Sequence, residues 1–510
     1  MGTLIKDLSL ASHQIDAFRR TLEIFAKSHA GANNSGPGTG KTYTTMATFL
    51  YMRHSRAFGP DSKLFVLCPA NAVLMWEEKT SEYQIPAIII SYRSLIGKGD
   101  TISHKYLIKQ NGIYHTTPDL IKLINNQILL VLDESQETKN SKSNTFKACH
   151  AIVKEVTRIN NASRILLLSA TPVDKEDYVE SIVKLLGIIT VDDLYRYDKG
   201  SRNHHIHGLG FDQLYNFCMR LNPVLTRKLY PNNINAGSVR HAIYEMYTQI
   251  VKGHLAFSMP NPNLGFKFHG YSRYYNLEPE ALFRLKQSLQ DLKTSIGYGD
   301  DGTIKYTANG IAGVIRSFML MESAKIGLFY RLVQSALTEN SNTKVILYVW
   351  HDATVDTLLE LLNVWKPLRC DGKVNRIKRA EYRRLFQADN NDYRLIIAKP
   401  TSFGKCIDLH DIHGNRPRKV FINPNFPFDP IIQSAGRIYR VGLRSEVEVN
   451  LTYAKDTDEE KVMMALSKKS EVTRNCIGEY VQKEDDFDSD DLGTSTGIPF
   501  IDKWDPIYEN

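Results

Sequence analysis

Hydrophobic residues in the first two hundred positions gather into short unbroken runs instead of alternating with polar ones. Lys63–Cys68, Ala87–Ser91, 127–132 (Gln-Ile-Leu-Leu-Val-Leu) and 164–169 (Arg-Ile-Leu-Leu-Leu-Ser) each end in a polar residue or a Gly/Pro turn. A run that is apolar at every position suits a strand covered on both faces, as in a parallel sheet flanked by helices. Helical spacing fills the gaps, at 41–52 and 177–186. The theme returns at 344–349, 393–398, 419–423 and 446–451, with a helix predicted over 356–362. The pattern predicts an α/β chain of two doubly wound, parallel-sheet lobes in tandem, with a helical insertion between them. Residues 195–339, richer in Asn, His, Tyr and Gly, read as that linker and insertion, with helical patches at 282–292 and 310–337. The predicted domains are therefore 1–194, 195–339, 340–483 and an acidic flexible tail, 484–510.

Composition narrows the class. The 510 residues suit about two to four domains, and a hydrophobic fraction of 42% excludes disorder throughout. The longest apolar stretches, 64–76 and 128–132, fall short of the ~18–20 residues a membrane span requires. No charged-then-apolar signal opens the chain, and Lys6 stands where a myristoylation motif requires Ser or Thr. The expected location is intracellular; a nucleus or a viral replication site is expected only on the family resemblance. Cys68, Cys149, Cys218, Cys370, Cys406 and Cys476 are scattered, and read as reduced thiols with no zinc or disulfide framework. The net charge is +8. The tail holds acids at 484, 485, 486, 488, 490 and 491 and no base between them, so the body is more basic than the total. That balance suits a polyanionic partner.

The strongest chemical signal is Ser35-Gly-Pro-Gly-Thr-Gly-Lys-Thr42. Gly36, Gly38 and Gly40, with Pro37 and Thr39 between them, allow backbone N–H groups to turn toward a triphosphate, and the next helix offers its N-terminus to the same anion. Lys41 would reach the β- and γ-phosphates, and the Thr42 hydroxyl would sit on Mg²⁺. Ser35 stands where G-x-x-x-x-G-K-[ST] has its first glycine, and 30–34 makes a poor strand by propensity. Downstream, Leu129-Leu-Val-Leu-Asp-Glu134 is an apolar strand ending in two carboxylates. Asp133 would hold Mg²⁺, and Glu134 would orient or deprotonate the attacking water. Gln433-Ser-Ala-Gly-Arg-Ile-Tyr-Arg440 adds Arg437 and Arg440. Alone, that pair reads as a salt-bridged helix with two arginines one turn apart. Beside Lys41, Asp133 and Glu134, it reads as arginines that neutralise transition-state charge once the second lobe closes on the first.

These segments resemble, in order from about Leu10 to about Lys461, a superfamily-two helicase-type motor of the SWI/SNF double-stranded DNA translocase kind. The resemblance implies two RecA-like lobes, ATP and Mg²⁺ as cofactors, double-stranded DNA as partner and a monomeric motor core. His13-Gln14 resembles the adenine-reading glutamine segment, so Gln14 joins the nucleotide set. Cys68-Pro-Ala-Asn-Ala-Val-Leu-Met-Trp76 resembles a segment whose tryptophan contacts one DNA strand, and Ile90-Ser-Tyr-Arg-Ser-Leu95 the next. Asp133-Glu-Ser-Gln-Glu-Thr-Lys-Asn140 resembles the extended acidic box, which puts Lys139 and Asn140 with Trp76 on the nucleic acid. Ser169-Ala-Thr-Pro172 resembles the motif linking hydrolysis to lobe movement, and Leu221–Arg227 the end of the first lobe. Residues 344–362, 371–372, 402–409, 433–442 and 457–460 continue the series in the second.

Two departures stand out. Gln136 replaces a more usual His and would still couple the γ-phosphate to the second lobe by hydrogen bonds. Cys406 replaces a glycine, which strains the loop if that position needs a positive φ. Because the chain begins almost at the glutamine segment, it reads as a bare motor similar to the compact forms encoded by large DNA viruses. His204, His205 and His207 read as a polar surface loop before a metal set. Arg316, Lys325 and Arg331 read as a solvated face before a DNA-facing stripe. The expected function is an ATP-driven translocase on duplex DNA. The alternatives are a strand-separating DNA or RNA helicase, a transcription-termination ATPase, and a nucleotide-gated scaffold that rests on Cys406.

Overall fold

The computed structural model describes residues 8–97, 102–197, 205–232, 235–259, 265–266, 268–290, 296–298, 304–306, 310–403, 408–440, 442–477, 479–480 and 505–508. The chain divides into two units, Met1–Asn261 with Val472–Leu492, and Pro262–Glu471 with Gly493–Asn510. Each is built on a seven-stranded sheet in which every pairing is parallel.

In the first unit the strand order is Glu479–Tyr480, Ala256–Ser258, Ala30–Asn33, Arg164–Leu168, Ile128–Asp133, Lys63–Cys68, Ala87–Ser91. The runs that are apolar at every position lie in the middle, as burial on both faces requires. Helix Asn144–Ile159 covers the sheet with Phe146, Cys149, Ile152, Val153 and Val156, a 3–4 residue spacing that puts all of them on one side. Ser143 caps this helix by accepting from the Phe146 amide, and Asn160 ends it at φ 50°. Ala30–Asn33 is a strand despite its small and polar residues. Ala256–Ser258 on one side and Arg164–Leu168 on the other supply its hydrogen bonds, so tertiary pairing overrides propensity.

The second sheet runs Leu368–Cys370, Leu395–Ala398, Lys344–Tyr348, Arg418–Ile422, Val447–Ala454, Phe268–Tyr275, Asp505–Tyr508. Helices Ile326–Glu339 and Asp352–Leu361 pack Phe329, Val333, Leu337, Val355 and Leu358 against Val345, Leu347, Leu395 and Ile397.

Several expectations are corrected. The division falls at 261/262, not at 194/195 and 339/340, because the middle stretch is no separate insertion. Its first half completes the first sheet through Ala256–Ser258, and its second half supplies Phe268–Tyr275 to the other. Residues 481–504 lie outside the described residues, but Asp505–Tyr508 pairs with 271–274 as an edge strand where a flexible tail was expected. The single helix expected over 310–337 is two, Gly310–Ala324 and Ile326–Glu339. Between them Lys325 turns inward. It is 0% exposed, with its ammonium 2.6 Å from Glu459 and donating to the Thr452 carbonyl and to Asn423. Glu322, equally buried, accepts from the Trp350 and His351 amides and from Asn423. Lys325 is therefore neither a solvated nor a DNA-facing residue. Cys406 and His204 lie outside the described residues, while His205–His207 forms a strand antiparallel to Tyr195–Tyr197.

Removing one member of a buried ion pair strands the other. Lys325→Met is expected to destabilise the second unit by about 3–5 kcal/mol, read from guanidinium denaturation. A pH dependence arises from two histidines. Burial pushes His150 and His410 down from 6.5 to about 4, so the folded chain keeps both neutral. The stability this supplies is complete above pH 6.5 and is lost as the pH falls toward 4. Between pH 7 and pH 5, the histidine contribution should make unfolding easier by about 2 kcal/mol for His150 and by less for His410, while Asp133, raised to about 6, acts in the opposite sense. His150→Gln should flatten that part of a denaturation profile.

Candidate functional site

The register of three neighbouring strands builds the site. Asn33 pairs with Leu168, and Leu168 with Asp133, so three strand ends stand level at the carboxyl edge of the first sheet. The segments leaving those strand ends are thereby brought together: the loop 35–40, the Ser169-Ala-Thr-Pro172 turn and Glu134. Ligands of open parallel sheets bind at this edge.

Gly38 (φ 79°) and Gly40 (φ 89°) adopt the left-handed backbone that the turn into helix Lys41–His54 requires. A Cβ on Gly40 would come within 2.0 Å of the Gln14 side-chain nitrogen. Gln14, on helix Ser12–Lys27, donates from Nε2 to the Thr39 carbonyl (3.1 Å) and accepts the Ala11 amide (3.0 Å). His13 Nε2 meets the same Thr39 carbonyl at 3.1 Å. The sequence-assigned glutamine thus lies against the phosphate loop. Lys41 Nζ donates to the carbonyls of Ser35 (2.8 Å) and Gly36 (3.1 Å), which keeps the ammonium inside the loop's curve.

Asp133 is 9% exposed. Burial above all, and the Glu134 charge next, push its carboxyl up to about 6, against the Trp76 hydrogen bond and the Lys41 charge, which favour the ionised form. Trp76 Nε1 donates to Asp133 Oδ2 at 2.8 Å, the Glu134 amide donates to Oδ1 at 3.1 Å, and the Tyr92 hydroxyl donates to the Asp133 carbonyl at 2.8 Å. Glu134 sits at φ 52°, a left-handed conformation that a non-glycine residue adopts only where its surroundings hold it. Its carboxylate accepts from Gln136 Nε2 at 2.6 Å, and Gln136 Oε1 accepts from the Ser169 hydroxyl at 2.5 Å. The Thr171 amide in turn donates to Ser169 Oγ at 3.1 Å. Gln136 therefore links the acidic pair to the Ser169–Thr171 turn inside one unit.

The nucleic-acid assignments fare differently. Trp76 is 0% exposed and offers no surface to a strand; its place as a direct contact is corrected to a bond with Asp133. Lys139 pairs with Asp174 at 2.8 Å. Asn140 is exposed. Arg437 and Arg440 belong to the second unit, on the turn after helix Phe428–Ala435 and not on a helix of their own. Arg437 is buried, and Arg440 pairs with Asp408. The links from Trp76 and Tyr92 to Asp133 were missed by sequence reasoning. The available signal was that aromatic residues with an N–H or O–H, once buried, need an acceptor.

No group of three or more His, Cys, Asp or Glu side chains among the described residues could hold a metal alone. Mg²⁺ binds through one or two protein oxygens with water and substrate phosphates supplying the rest. Asp133 would be a donor of that kind, and Thr42 is the second residue of the adjoining helix.

The glycine-rich loop and the acidic pair thus stand together at the carboxyl edge of one parallel sheet. Residues 13–230 match the SNF2-related domain. A protein of Acanthamoeba polyphaga mimivirus named as an ATP-dependent RNA helicase is 30% identical over 37% of this chain and 32% of its own length. The ATP-dependent DNA helicase MPH1 of Debaryomyces hansenii is 24% identical over 53% of this chain and 25% of its own. The chromodomain-helicase-DNA-binding protein 1-like of Mus musculus is 20% identical over 92% and 50%. The chain thus spans half or less of the length of these relatives. The Sulfolobus solfataricus SWI2/SNF2 ATPase core in complex with dsDNA aligns over 92% of this chain and 97% of that one, at 16% identity and a TM-score of 0.32.

Gly40→Ala should strain the loop by about 1–2 kcal/mol and displace the Gln14 amide from Thr39. Nucleotide affinity, measured with a fluorescent ATP analogue, is expected to fall by at least tenfold.

Proposed function

We propose that the chain is an ATP-driven motor that moves along duplex DNA. The observation that carries this reading is the assembly of Lys41, Asp133, Glu134 and the Gln136–Ser169 link at one sheet edge, beside the SNF2-related match over residues 13–230. Lys41 is proposed to bind the β- and γ-phosphates, Gln14 the adenine, and Ser35 to Thr42 the phosphate chain through backbone N–H groups. Thr42 and Asp133 would hold Mg²⁺, which when bound neutralises phosphate charge. Glu134 orients or deprotonates the attacking water, its carboxylate aimed by Gln136. To Arg437 and Arg440 we assign charge neutralisation during hydrolysis.

The names of the relatives point to both DNA and RNA. Duplex DNA is favoured here on the resemblance to SWI/SNF translocases, with Asn140 an exposed candidate contact. An RNA helicase is the second reading, because the mimivirus relative carries that name. Contacts to a phosphate backbone would be sequence-independent and salt-sensitive.

ATP hydrolysis is expected to rise with duplex DNA, to weaken with salt, and to be lost in Lys41→Ala and Glu134→Gln. An ATPase titration with duplex DNA, single-stranded DNA and RNA makes the test. Stimulation by RNA alone would select the helicase reading, and no hydrolysis under any condition would end the motor.

A further inference from the structure

Asp133 is gripped by two residues that take no part in the proposed binding or hydrolysis of the nucleotide. Trp76 lies on helix Val73–Glu82, entered from strand Lys63–Cys68, and Tyr92 opens helix Tyr92–Ile96 after strand Ala87–Ser91. Lys63–Cys68 pairs with Ile128–Asp133, and Ala87–Ser91 with Lys63–Cys68, Leu132 beside Leu67 and Leu67 beside Ile90, so the chain leaves both strands at the level of the acidic pair. One residue holds the carboxylate at Oδ2 and the other holds the main chain at the carbonyl, each at 2.8 Å. Trp76 is 0% and Tyr92 5% exposed, so neither bond competes with bulk water. The indole N–H can only donate. With the Glu134 amide on Oδ1, Asp133 is fixed at three points, and each carboxylate oxygen keeps a lone pair for a further partner.

We infer that Trp76 and Tyr92 are positioning residues for the metal-binding carboxylate: they orient Asp133 so that Mg²⁺ joins the bound nucleotide. The inference rests on the nucleotide-binding part of the proposed function. Groups that orient a metal ligand typically change metal affinity by about 10–100-fold when removed. Trp76→Phe deletes the N–H and keeps an aromatic ring; Tyr92→Phe deletes one oxygen.

The test uses the full chain and a labelled non-hydrolysable ATP analogue in equilibrium dialysis, first in EDTA and then across a Mg²⁺ titration. The half-saturating Mg²⁺ concentration should rise about tenfold or more in Trp76→Phe and move the same way, by less, in Tyr92→Phe, with analogue binding in EDTA unchanged in both. An unmoved Mg²⁺ midpoint overturns the inference. So does a loss of analogue binding in EDTA equal to the loss in Mg²⁺, the mark of mere packing. If Trp76→Phe lowers the melting temperature, Tyr92→Phe decides alone. An unaltered chain that binds analogue in EDTA and more tightly in Mg²⁺ upholds the nucleotide reading whatever the variants do. One that binds none removes that reading, and this inference with it.

Discussion

Asp133 is a carboxylate withdrawn from water at the end of a wholly apolar strand, and the cost of that withdrawal dictates its surroundings. An uncompensated buried charge costs several kcal/mol. Here an indole N–H, a backbone N–H and the Lys41 ammonium act on the group, and together they still leave it near 6, well above an ordinary aspartate. The divalent cation of the proposed function would compensate the remainder. The left-handed backbone at Glu134 has its origin in the same geometry, because the chain must turn sharply off the strand end to send a second carboxylate toward Gln136.

The second unit solves a similar problem with no metal-like chemistry. Lys325, Glu459, Glu322 and Asn423 are all buried and joined to one another and to backbone groups at strand ends. The ammonium has three acceptors and the carboxylates have amide donors, so the cluster closes internally. Asp133 differs in keeping acceptor capacity unused by the protein. A closed polar cluster specifies packing; one left open toward a sheet edge specifies a ligand.

How far each element was legible in the sequence depends on how it is held. Strands such as Lys63–Cys68 carry their own evidence in an unbroken apolar run, and the structure has them within one residue of expectation. Ala30–Asn33 and Phe268–Tyr275 do not. Their residues are small, or polar and aromatic, and they are strands because neighbouring strands bond them. The loop 35–42 and the acidic pair stood out in the sequence because nucleotide chemistry would fix both residue types and spacing, and the strand register brings the two to one edge. Trp76 was legible only as a family feature. Its partner lies 57 positions away, and only the register between Lys63–Cys68 and Ile128–Asp133 brings the two together.

Ser35 shows how a departure from a motif can be an addition. Where the phosphate-loop pattern has its first glycine, this chain needs no positive φ, since Gly38 and Gly40 supply the left-handed turns. The position is free to carry a side chain, and its hydroxyl accepts the Met259 amide at 2.7 Å and donates to Asn33. The Asn34 amide bonds the Phe257 carbonyl at 2.8 Å beside it. The loop is thereby tied to Ala256–Ser258, the strand after which the chain leaves the first unit at 261/262. Glycine could hold the same backbone path but not that tie. The serine therefore gives up nothing in conformation, and it stiffens the junction between the phosphate loop and the segment that leads onward.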